Sequence, residues 1–123
     1  MEIINTAKAP AAVGPYSQAI KTNSFIFGSG QLPIDPLTGI MKNGIAEQTK
    51  QILDNISAIL EAAGYNKDCV VKTTIFLTNM NDFSIVNEVY ANFFGNHRPA
   101  RSTIEVAKLP KNSAIEIEFV AEI

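Results

Sequence analysis

The chain has 123 residues, 46% hydrophobic and 18% charged, which excludes a disordered or low-complexity protein and points to one soluble globular domain over residues 1–123. A net charge of -2 and ten scattered Lys and Arg, with a pI near 5.3, argue against nucleic acid as a partner, since phosphate binding needs clustered cations. The single cysteine, Cys69, forbids an intrachain disulfide, and no stretch approaches the ~18 apolar residues of a membrane span, so no membrane partner is expected.

Met1–Ile4 lack a basic, apolar leader, which makes the cytoplasm the expected compartment. Glu2–Thr6 reads as a short strand, and Gln18–Thr22 extends after the Gly14-Pro15 turn that precedes Tyr16. Phe25-Ile26-Phe27 is a strand apolar on both faces, and "GSGQLPIDPLTG", with Pro33, Pro36 and Gly39, reads as loop. From Gly44 to Ala63, Ile45, Thr49, Ile52, Leu53, Ile56, Ile59 and Leu60 recur at three- and four-residue steps opposite Glu47, Lys50, Asp54 and Glu61, the pattern of an amphipathic helix. Cys69, just before Val70-Val71, reads as a small buried hydrophobe.

Val70–Thr78 is β-rich. Asn81 is placed to cap a second helix whose stripe is Phe83, Val86, Tyr90, Phe93 and Phe94, ending at Gly95. Arg101–Ala107 is a strand, Leu109–Asn112 a turn around Pro110, and Ala114–Ala121 a strand with Ile115, Ile117 and Phe119 inward and Glu116 and Glu118 outward. The order predicts an α+β two-layer sandwich, a sheet with two helices on one face. Two helices cover one face only, yet Phe25-Ile26-Phe27 and Ile75-Phe76-Leu77 are apolar on both. The bare face therefore calls for another copy of the chain.

Among candidate reactive groups, His97 is the only histidine and stands in a loop, no GxSxG elbow exists, and one His and one Cys make no metal-ligand spacing. Gly28-Ser29-Gly30 lacks the third glycine and the following helix of a phosphate loop. If Leu109–Asn112 closes a hairpin, Glu105 faces Glu116 and Arg101 lies near Val120, so that Arg101, Thr103, Glu105, Glu116 and Glu118 share one face. That face is either a solvated charged surface or a site with a fixed cation and proton-handling carboxylates. Tyr16 offers a phenol whose position the periodicity leaves open.

"APAAVGPYSQAI", "FGSGQLPIDPLTG", "DNISAILEAAG", "VVKTTIFLTNMNDFSIVNEVY" and "RPARSTIEVAKLPKNSAIEIEFVA" together resemble the Rid family of YjgF-like reactive intermediate deaminases, over nearly the whole chain. The resemblance implies a homotrimer of chorismate-mutase-like subunits with a mixed sheet and clefts between subunits. It implies hydrolysis of 2-imino acids, such as 2-iminobutanoate and 2-iminopropanoate released by pyridoxal-phosphate dehydratases, to 2-keto acids and ammonia, without a cofactor. Carried over, Arg101 grips the substrate carboxylate, Glu116 is the acid beside the attacking water, and Tyr16, Asn87, Ser29 and Gly30 lie in or near the cleft. Several members of the family carry Cys where this chain has Thr103, which argues against thiol chemistry here and leaves the main chain at Thr103 to contact substrate. The alternatives are a non-catalytic carboxylate-binding or chaperone-like trimer and, against the acidic pI, an endoribonuclease or translation inhibitor.

Overall fold

The computed structural model describes residues 1–123. Strands β1 (Glu2–Ile4), β2 (Ala19–Lys21), β3 (Phe25–Gln31), β4 (Val70–Leu77), β5 (Ala100–Glu105) and β6 (Ile115–Glu122) form one six-stranded sheet in the order β1-β2-β3-β6-β4-β5. Only β4 and β5 run parallel; the other neighbours are antiparallel, so the sheet is mixed. Helices α1 (Ile45–Ala62) and α2 (Phe83–Phe94) pack on one face, giving the expected α+β two-layer sandwich. No helix is long and apolar enough to cross a membrane.

The core follows from two periods meeting. Along α1, Ile52, Leu53, Ile56, Ile59 and Leu60 are fully buried, and along β6 every second residue, Ile115, Ile117, Phe119 and Ala121, turns toward them. Each such large side chain contributes roughly 1.5–3 kcal/mol by leaving water. Buried Gln48 ties the layers together, its amide donating to Lys42 O at 2.9 Å and accepting from Ala114 N at 3.1 Å.

Three expectations are corrected. The strand at Phe25 does not stop at Phe27 but runs through Gly28-Ser29-Gly30 to Gln31, with an irregular register between Gly28 and Gln31. These glycines are close-approach residues: a Cβ on Gly28 would stand 2.0 Å from the Phe119 ring, its cross-strand partner. Asn81 does not cap α2. A short 3₁₀ turn, Met80–Asp82, intervenes, and it is Asn79 whose side chain accepts from Asn81 N at 3.0 Å.

The third correction matters most. β5 and β6 are not a hairpin; β4 lies between them. The chain passes from β4 through α2 to β5, and a strand–helix–strand crossover returns the second strand parallel beside the first. The connection after β5 then rounds the end of β4, held by Val106 N to Leu77 O at 2.8 Å and Thr78 N to Ala114 O at 3.2 Å. Across β4, Thr73 stands opposite both Arg101 and Phe119, and Phe76 opposite both Ile104 and Glu116. Directly opposed residues share a face. Arg101, Thr103 and Glu105 therefore point to the helix side, whereas Glu116 and Glu118 point to the bare side. That bare side also carries Ile3, Phe25, Phe27 and Ile104, all exposed.

Candidate functional site

On the bare side, the end of β3, the middle of β6, the segment before β2 and the turn at Pro110 enclose a cavity of about 610 Å³ lined by Tyr16, Ser29, Gly30, Lys111, Glu116 and Glu118 among others. The geometry is built from its floor upward. Gln18, fully buried, accepts from Thr6 N at 2.7 Å and donates to the carbonyls of Thr6, Ala9 and Pro10. It thereby fastens the incoming segment that forms one wall. Ser29 spends its hydroxyl proton on Ser17 O at 2.6 Å, and its N–H on Gln18 O at 2.9 Å, joining that wall to β3. Tyr16, about half exposed, projects beyond this anchorage.

Glu116 lies against Gly30 so closely that a Cβ there would be 2.6 Å from its Oε1. Burial, and next the negative charge of Glu118, raise its carboxyl above the ordinary glutamate range. The folded chain thus holds this proton to a higher pH than the unfolded chain. Stability contributed by the protonated form is lost as pH rises from the ordinary glutamate value through the raised one. Glu116→Gln is expected to flatten that slope and to melt no lower than the native protein at alkaline pH, as thermal unfolding across pH will show.

On the helix side lies a basic cavity of about 480 Å³ lined by Asn87, Tyr90, Ala91, Arg98, Pro99 and Arg101. Arg98 is engaged by the chain, donating to Gly95 O and to His97 O just past the end of α2. Arg101 is not. The chain's ion pairs are Lys42–Asp35 and Lys50–Asp54, and neither involves it. Its guanidinium carbon lies 5.5 Å from the Phe83 ring centre and 5.1 Å from that of Tyr90. Two polar atoms, Oδ1 of the cavity-lining Asn87 and Oγ1 of Thr103, two residues from Arg101 on the same face of β5, are buried without a hydrogen-bond partner. Buried polar atoms are nearly always paired, so these two mark a place where the chain alone leaves bonding capacity unused.

The structure thus brings together Tyr16, Ser29, Gly30 and Glu116 in one cavity and Arg101, Asn87 and Thr103 on the opposite side of the sheet. The single charged face expected for Arg101 and Glu116 within one chain does not form, because the register across β4 places them on opposite faces. Sequence reasoning missed Gln18, Lys111, Phe83 and Tyr90. Phe83, Asn87 and Tyr90, at i, i+4 and i+7 on α2, share a helix face, and a polar residue amid an apolar stripe was the available signal. His97 is structural, its ring nitrogen 2.6 Å from Val70 O, and Cys69 is partly buried against the core.

Strand order, one-sided helices and an acidic cavity opposite a basic one define the class: a two-layer α+β sandwich with a cavity on each face of its sheet. The chain belongs to the family described as Endoribonuclease L-PSP, matched over residues 6–123, the YjgF/Rid family its motifs resemble. It is 56% identical to a RutC family protein of Pyrococcus horikoshii over 98% of this chain and 96% of that one. It is 51% identical to the 2-iminobutanoate/2-iminopropanoate deaminase of Homo sapiens, over 97% of this chain and 88% of the relative. The structure of E. coli TdcF with bound serine superposes with a TM-score of 0.97 at 42% identity, covering 100% of this chain and 99% of that one.

Proposed function

We propose that this protein is a hydrolytic deaminase that converts 2-imino acids, of the size of 2-iminobutanoate and 2-iminopropanoate, to 2-keto acids and ammonia. The observation that carries the reading is Arg101, a guanidinium without an anionic partner in its own chain, beside the unpaired Asn87 Oδ1 and Thr103 Oγ1. A planar carboxylate takes two parallel hydrogen bonds from such a fork. The name of the human relative and the amino acid held by TdcF support a small ligand with a carboxylate and an α-nitrogen.

In this reading the reaction demands little. An iminium carbon is already electrophilic. Water adds to it, the C=N electron pair moves to nitrogen, and Glu116 takes the proton from water. Glu116 then returns that proton to nitrogen, the C–N bond breaks with its electron pair going to nitrogen as the hydroxyl oxygen forms C=O, and Glu116 takes the hydroxyl proton; neutral ammonia leaves and accepts that proton, which gives ammonium and restores the carboxylate. Tyr16, in the same cavity as Glu116, supplies a phenol to the oxygen that has added. Because Arg101 and Glu116 face opposite sides of one sheet, the complete site takes Arg101 from one copy and Glu116 from another, in a homotrimer that also covers the apolar face bearing Phe27 and Ile104. The opposite charge of the two cavities suits that juxtaposition.

The deciding experiment couples a threonine dehydratase to detection of 2-ketobutanoate, with and without this protein. Faster release of the keto acid is expected. Binding of 2-ketobutanoate without any acceleration would leave a non-catalytic carboxylate-binding protein instead. Within that assay, Gly30→Ala is expected to keep its fold, because the displaced group is the mobile end of Glu116, yet to lose about tenfold to a hundredfold in kcat, the scale of misplacing a reacting group by about an ångström. Thermal melting alongside the assay separates the two effects. kcat/KM is also expected to fall on acidification at a higher pH than an exposed glutamate would dictate.

A further inference from the structure

An unpaired arginine has a difficulty that its proposed role does not remove. Its side chain carries about 2 kcal/mol of rotamer entropy, which a bidentate carboxylate or a stacked aromatic ring can offset. Here no carboxylate of the chain does so. What flanks the guanidinium instead is aromatic: Phe83 at 5.5 Å and Tyr90 at 5.1 Å, both inside the ~6 Å reach of a cation–π contact.

We infer that Phe83 and Tyr90 are positioning residues that hold the Arg101 guanidinium for its ligand while leaving its N–H edge free. The inference rests on the reading of Arg101 as the carboxylate seat. The rings stand two turns apart on one face of α2, with Asn87 between them. Tyr90 is itself held: it is 6% exposed, its hydroxyl is 2.6 Å from Thr73 Oγ1, and its ring packs 4.7 Å from that of Phe94. Thr73 is the direct ladder partner of Arg101. Strand, helix and guanidinium therefore form a closed circuit, Arg101 to Tyr90 by the ring, Tyr90 to Thr73 by the hydroxyl, Thr73 to Arg101 by the parallel ladder.

The chemistry of the two contacts keeps them apart. A ring attracts the cation through its π face, and a carboxylate pairs with N–H groups in the guanidinium plane, so one does not displace the other. Burial raises the Tyr90 phenol above its ordinary pKa, with the Thr73 hydrogen bond and the Arg101 charge opposing in part. The ring stays a neutral phenol and leaves the positive charge available to an anion.

The test measures KM and kcat in the dehydratase-coupled assay, and the affinity for 2-ketobutanoate by calorimetric titration, for Phe83→Leu, Tyr90→Leu, Tyr90→Phe and Arg101→Ala. Each leucine variant is expected to raise KM and weaken 2-ketobutanoate binding by roughly threefold to thirtyfold, with kcat falling less than KM rises. Tyr90→Phe keeps the ring and leaves Thr73 Oγ1 unpaired. It should lower the melting temperature yet lose no more than about threefold in affinity, a separation that a purely structural role for Tyr90 does not produce. Should Tyr90→Phe bind as poorly as Tyr90→Leu, or both leucine variants bind like the native protein, the positioning role is wrong. If Tyr90→Leu fails to fold, Phe83→Leu at the less buried start of α2 decides the matter alone. Native-like binding by Arg101→Ala would overturn the underlying reading instead.

Discussion

Arg101→Ala is expected to fold and to lose at least about a hundredfold in kcat/KM for 2-iminobutanoate, since two hydrogen bonds to a charged group are each worth roughly 1.5–3 kcal/mol. Folding should survive because the side chain is only partly buried, makes no ion pair, and gives its own chain no more than its contacts with Phe83 and Tyr90. The loss should appear equally in the affinity for 2-ketobutanoate, which offers the same carboxylate and undergoes no reaction. Arg101→Lys keeps the charge but not the fork, and should fall between the native and alanine proteins. Dehydratase-coupled turnover within threefold of native in the alanine variant would remove Arg101 from the site.

The second expectation concerns two inactive proteins that become active when mixed. If Glu116 is the proton carrier proposed above, Glu116→Gln is expected to lower kcat by about a hundredfold to ten-thousandfold, the usual worth of a general acid–base group. If each site draws Arg101 from one copy and Glu116 from another, unfolding and refolding Arg101→Ala together with Glu116→Gln in equal amounts leaves about a quarter of the sites with both native residues. Activity should then climb from near background toward about a quarter of native, although neither parent is active. A site contained within one chain predicts no recovery at all. The opposed faces of Arg101 and Glu116 in the sheet make the first result the expected one.

Much of the chain was legible before its structure. The stripe from Ile45 to Leu60 forms α1, and the alternation from Ile115 to Phe119 forms β6 with the same residues inward, because a helix or half-buried strand imposes its period on its own sequence. The glycine-rich stretch after Phe27 misled: local propensity takes Gly28-Ser29-Gly30 as loop, whereas the Phe119 ring and the Glu116 carboxyl, distant in sequence, require glycines within a strand. Phe83 and Tyr90 were legible as apolar helix positions but not as neighbours of a guanidinium, since that depends on where β5 comes to rest.

The sequence by itself determined the elements, the inward residues, the two-layer class and, through its motifs, the family. These are local or accumulated signals that need no knowledge of what packs on what. Only the tertiary structure decided the strand order and the register that β4 imposes on β5, and with them the face of Arg101 relative to Glu116. A turn as short as Leu109–Asn112 is compatible with a hairpin, and nothing within it reveals that α2 has already committed β5 to lie parallel beside β4. With β4 between them, β5 and β6 both take their register from β4, which aligns Arg101 with Phe119 and Glu116 with Ile104; this differs by one residue from the expected hairpin register and so puts Arg101 and Glu116 on opposite faces, because side chains alternate at every residue along a strand.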